Sequence, residues 1–61
     1  MNLQQLRVFI NESARKHPHL KSEMHDLYWL CVSEIEEGGS PDHEIQLCFN
    51  DIEQLIEQES V

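Results

Sequence analysis

Two helix-breaking signals, His17-Pro18-His19 and Gly38-Gly39-Ser40-Pro41, divide this chain of 61 residues into three stretches. Each stretch repeats apolar residues at three- and four-residue spacing, the period of one face of an α-helix. No strand-like alternation is long enough to compete. The pattern predicts one all-α domain over residues 1–61: a helical hairpin of helices 2 and 3 plus an N-terminal helix. The predicted bounds are about 3–16, 20–37 and 41–58.

Each boundary has a local cause. Asn2 can cap the first helix, with Gln5 three residues on in the capping-box position. Its expected apolar face is Leu3, Leu6, Phe9, Ile10 and Ala14, with Val8 off that face. Arg15 and Lys16 fall in the last turn, where cations favour the helix dipole. Pro18 disfavours helical geometry in His17 before it. The second stripe is Leu20, Met24, Leu27, Tyr28, Cys31 and Ile35, and Trp29, Leu30 and Val32 lie outside it. A helix apolar around so much of its circumference should touch neighbours on two sides. Gly38-Gly39 then supplies a left-handed C-terminal cap. Ser40-Pro41 supplies an N-cap followed by proline at the first helical position. The third stripe is Ile45, Cys48, Phe49, Ile52, Leu55 and Ile56, with Leu47 outside it.

A turn as short as Gly38-Gly39 makes the second and third helices antiparallel neighbours, so facing residues should have numbers that add to about 79 or 80. Ile35 then meets Ile45, Cys31 meets Cys48 or Phe49, Tyr28 meets Ile52, and Met24 meets Ile56. Every pair joins two stripe residues, and this agreement between local and tertiary pattern supports the hairpin. A chain this short buries only about 60% of its unfolded surface. Self-association through the unused face of the second helix would add burial, and a homodimer is the expected state.

Charge is distributed in two blocks. Arg7, Arg15, Lys16 and Lys21 all precede residue 22, opposed there only by Glu12; the other eleven of the twelve acids follow, with no lysine or arginine among them. The net charge is −8. Such asymmetry speaks to partners rather than fold. It argues against direct nucleic-acid binding, which needs cations to meet phosphates. It fits docking on a basic protein surface. It also fits mimicry of a nucleic-acid backbone, with carboxylates standing where phosphates would lie. The expected partner-binding residues are Trp29, Leu30, Glu34, Glu36, Glu37, Leu47, Asp51, Glu53 and Glu57.

Other chemistry has weaker support. His17, His19 and His25 could contribute imidazoles to a metal, but they lack zinc-finger or His-Glu-x-x-His spacing, so no metal or other cofactor is expected. Cys31 and Cys48 should be level in the hairpin, which makes a redox latch conceivable; as stripe residues they read first as buried thiols. No serine stands in a nucleophile elbow, and no glycine loop cradles a phosphate, so an enzyme is not expected. The longest apolar run, residues 27–32, is far short of the ~20 residues of a membrane span. The N-terminus lacks a signal-peptide pattern, and the cytoplasm is the expected setting.

Size, acidity and helical economy resemble those of small regulators and inhibitors encoded by bacteria, phages and mobile elements. The function expected on these grounds is stoichiometric: the acidic faces of helices 2 and 3 occupy a basic surface on a larger protein, such as a nucleic-acid-processing or host-defence protein, with Trp29, Leu30 or Leu47 as anchors. The alternatives are a DNA mimic, and a metal- or redox-responsive module using His17, His19, His25, Cys31 and Cys48. A purely structural dimerisation unit is a third reading. Acidification that protonates the histidines should reduce the negative charge and weaken docking.

Overall fold

Asn2 starts the first helix. Its Oδ1 accepts the Gln5 N–H at 2.8 Å, and its own N–H donates to Gln5 Oε1 at 2.9 Å, a complete capping box. The helix that follows, α1, spans Leu3–Lys16 in a computed structural model that describes residues 1–59. His17 ends it by donating its N–H to the Ser13 carbonyl at 2.8 Å. Pro18–Leu20 then forms one 3-10 turn, closed by Leu20 N–H on the His17 carbonyl at 2.9 Å. The second helix, α2, therefore starts at Lys21, one residue later than expected, and runs to Glu36, with Glu37 as its cap.

The α2–α3 turn is closed by hydrogen bonds. Gly38 N–H donates to the Ile35 carbonyl at 3.0 Å, and Gly39 N–H to the Glu34 carbonyl at 2.8 Å. These are the two bonds of a Schellman cap. They require a left-handed residue, and Gly38 has φ +105. Gly39 is needed for room, because a Cβ there would come within 2.8 Å of the Glu34 carbonyl oxygen. The third helix, α3, spans Pro41–Glu59, and the Ser40 carbonyl accepts its first bond, from Glu44 N–H at 2.9 Å. Asp42 and Glu44 stand in its first turn, where negative charge is favourable.

The fold is all-α, three helices around one core. Among the described residues, nine apolar ones are buried, led by Leu6, Met24 and Ile52, with no exposed surface. Eight more, including Leu27, Tyr28, Phe49 and Leu55, pack half-buried against them. Together they are the residues of the three stripes expected from the sequence. α2 is the central element expected: α3 packs along one side of it and α1 along another, while α1 also meets α3. The Phe9 and Phe49 rings, centroids 4.6 Å apart and inclined at 41°, join α1 to α3. Ser13 is also buried, a position the apolar pattern did not mark. It lies seven residues after Leu6, on the same helix face, where a small side chain lets α1 approach its neighbours.

α1 fills one of the two grooves that run along the α2–α3 hairpin. Among the described residues, no helix covers the other groove. Among the described residues no helix is long and apolar enough to cross a membrane.

Candidate functional site

A helix that packs on neighbours at two sides still has one side left. α2 is such a helix. Leu27 and Leu30 lie on its remaining side, bracketed by Glu23, Asp26 and Glu34. On α3 the matching side carries Leu47 and Leu55, bracketed by Glu44 and Asp51. The two sides meet in a continuous open groove. One half, of about 390 Å³, runs past Leu27, Leu30 and Leu55 toward Gln54 and Gln58. The other, of about 210 Å³, runs past Leu30 and Leu47 toward Glu34 and Glu44. Leu30 is 59% exposed and Leu47 43%. No lysine or arginine lines either half.

Four of the nine residues expected to bind a partner therefore share one face: Leu30, Glu34, Leu47 and Asp51. Four others point elsewhere. Trp29, 62% exposed, is about 100° around α2 from Leu30. It stands beside α1 in a separate cleft of about 240 Å³ with Arg7, Asn11, His25 and Tyr28. Its indole meets the Tyr28 ring edge-on, centroids 5.6 Å apart. Glu36 follows Trp29 by seven residues and shares its flank. Glu53 is two residues after Asp51, so about 200° around α3, and Glu57 lies on that same far side; both are exposed. Glu37 caps α2 at the edge of the open face.

The expected partner-binding set left out Glu23, Asp26 and Glu44 of the rim, although helical spacing places Glu23 and Asp26 around Leu30, and left out Leu27 and Leu55 of the floor, which were assigned to the core stripes. The signal for them was present. In the antiparallel hairpin the pairs Leu30 with Asp51, Glu34 with Leu47, and Asp26 with Gln54 have numbers adding to about 80 or 81. Residues outside the core stripes that face one another in this register share the open edge of the hairpin.

Cys31 and Cys48 sit beneath this groove, side by side as the hairpin register requires, and both are free thiols. Burial raises the Cys48 thiol to about 12, with help from Cys31 and from the Asp51 carboxylate. Burial also raises Cys31, reinforced by Glu44; a hydrogen bond to Cys48 pulls the other way. Thiols held so firmly in the protonated form are poor nucleophiles and poor metal ligands near neutral pH.

The histidines are scattered. His17 Nδ1 approaches Glu59 Oε2 at 3.6 Å, and His19 Nε2 meets the other oxygen of the same carboxylate. This ties the last described turn of α3 to the link between α1 and α2. His25 stands beside Trp29, and neither cysteine is near. Among the described residues no three histidine, cysteine or acidic side chains are arranged to hold a metal ion. Comparison with protein-family models, curated proteins and solved structures gives no match to this chain.

Proposed function

We propose that this protein is a stoichiometric regulator that docks through the open α2–α3 face on a larger protein with a basic surface. The observation that carries this reading is the composition of that face: exposed Leu30 and Leu47 set among carboxylates from both helices, with no cation beside them. Apolar anchors inside a charged rim are the usual anatomy of a protein interface. The concrete form is an inhibitor of a nucleic-acid-processing or host-defence protein acting in the cytoplasm, because such proteins present large basic grooves. A pure DNA mimic is the alternative. The leucines favour a protein partner over backbone mimicry, since carboxylates alone would imitate phosphates.

A homodimer fits the same reading if it forms on the Trp29 flank. Two copies meeting through their acidic grooves would set like charges together, whereas the Trp29 flank mixes Arg7, Lys21 and His25 with acids such as Asp26.

The test is affinity capture from lysate of the source organism, with elution by a salt gradient and identification by mass spectrometry. One partner released stoichiometrically at raised salt, and no longer retained by Glu34→Lys/Asp51→Lys, supports the proposal. Retention that ignores both salt and the charge reversal sinks it.

A further inference from the structure

The open groove has the shape of a missing helix position. α2 and α3 are antiparallel, α1 occupies one groove of the pair, and a helix in the other would complete a four-helix arrangement. The residues along the groove are spaced for that role. Glu23, Leu27, Leu30 and Glu34 follow intervals of four, three and four on α2; Glu44, Leu47, Asp51 and Leu55 follow three, four and four on α3. These are seam intervals, the spacing at which one helix side packs along another. Leucines and carboxylates alternate along the seam. Leu27, Leu30, Leu47 and Leu55 form its apolar line, with Glu23 and Asp26 toward one end, Asp51 beside Leu30 in the middle, and Glu34 and Glu44 toward the other end. From Glu23 to Glu34 the seam is about 17 Å long at 1.5 Å per residue.

We propose that the groove binds one amphipathic helix of a partner protein, with an apolar stripe flanked along its length by lysine or arginine. This rests on the docking function proposed above and specifies its ligand. Charge complementarity selects the cations, since five carboxylates line the two halves of the groove: Glu23, Asp26, Glu34, Glu44 and Asp51. Exposed Leu30 and Leu47 select the apolar stripe, because apolar surface in water gains by burial. An extended basic segment would satisfy the rim and leave the leucines half in water. A helix placing apolar residues at i, i+3, i+4 and i+7 satisfies both.

The probe is a synthetic peptide of roughly 20 residues, long enough to form a helix in isolation. It carries leucines at those intervals and lysines flanking them along its length. A second peptide has the same composition in scrambled order, and a third has glutamate in place of lysine. Binding to the intact chain is followed by titration calorimetry, and the fluorescence of Trp29, the single tryptophan, is read in parallel. The amphipathic peptide is expected to bind at least about tenfold more tightly than the scrambled one, with the acidic peptide not binding. Leu30→Ser/Leu47→Ser removes that preference without moving the urea midpoint, because both side chains lie outside the core. Trp29 fluorescence responds only weakly, since its indole lies in the cleft beside α1 and adjoins the groove only at the Asp26 rim. Equal binding of the ordered and scrambled basic peptides overturns the helix proposal and leaves acidic docking standing. Binding that strongly shifts Trp29 fluorescence and ignores Leu30→Ser/Leu47→Ser overturns the groove as the site. No binding of either basic peptide at low salt removes both this inference and the docking function beneath it.

Discussion

α2 has two flanks, and they have been treated differently. On one, Tyr28 and Val32 are half-buried and α1 lies alongside, leaving Trp29 at the margin of a mixed cleft with Arg7 and His25. On the other, Leu27 is half-buried, Leu30 is open to water, and every charged neighbour is an acid. The two flanks have similar apolar content. They differ in what surrounds it. The first holds Arg7 and His25 beside the apolar residues and already carries a helix of its own chain. The second is lined by acids, and among the described residues no lysine or arginine lines it. Apolar residues on a small helical domain are therefore not one class: some are core, some are margin, and some are held open by the charge around them.

The largest effect should come from removing the core that both flanks share. Ile52→Ala, at a position with no exposed surface, should destabilise by about 2–5 kcal/mol. In so small a domain that loss is enough to unfold much of the population, read by circular dichroism and urea titration. A loss below about 1 kcal/mol would mean that the helices rearrange to fill the space, and the flanks as described would not be fixed. Gly39→Ala forces a Cβ against the Glu34 carbonyl and should lose about 1–3 kcal/mol, with the open groove distorted because the α2–α3 turn sets it. Its urea midpoint should fall well below that of Ser40→Ala.

The cysteines sharpen the comparison through pH. A group whose folded-state pKa is raised contributes stability that is complete below its unfolded value and fades as pH rises toward the folded one. For Cys48 the window runs from about 9 to about 12. Stability should therefore decline steadily above about pH 9, and Cys48→Ala should flatten that slope while lowering stability at pH 7. Under native conditions at pH 8 a thiol reagent should label neither cysteine until the chain is unfolded. Fast native labelling would mean that the groove opens down to its floor. The smallest effect is reserved for the exposed leucine. Leu30→Ala should change stability by no more than about 0.5 kcal/mol, within the range for surface positions, while weakening docking. A core-sized loss would place Leu30 inside the fold and erase the distinction between the flanks.

The three helices and their hairpin were legible because each depends on neighbours in sequence. Asn2 and Gln5 form their box within one turn, and Gly38 with Gly39 closes the Schellman bonds within six residues. The stripe residues were legible for the same reason, except Ser13, whose hydroxyl hid a core position. The partner face was only half legible. Helical spacing assigns each residue an angle on its own helix, and that grouped Leu30 with Glu34. It cannot decide which groove of a hairpin the third helix will occupy. That choice is made by packing of residues distant in sequence, such as Phe9 on Phe49. Once α1 takes its groove, Trp29 and Glu36 belong to one side and Leu30 to the other, while Glu53 and Glu57 fall away from both leucines.

The Schellman turn has a consequence for how this surface could vary. Closed by two backbone bonds and a glycine at φ +105, it acts as a phase reference from which every side chain of α3 takes its angular position. One residue inserted near the start of α3 would rotate the helix by about 100° relative to the turn. Ile52 and Cys48 would leave the core together with Leu47 leaving the groove. Substitution could retune the rim one carboxylate at a time, but a change of length could not move the groove without dismantling the interior. The face and the core are thus locked to the same register, and the chain can diversify its ligand only by composition.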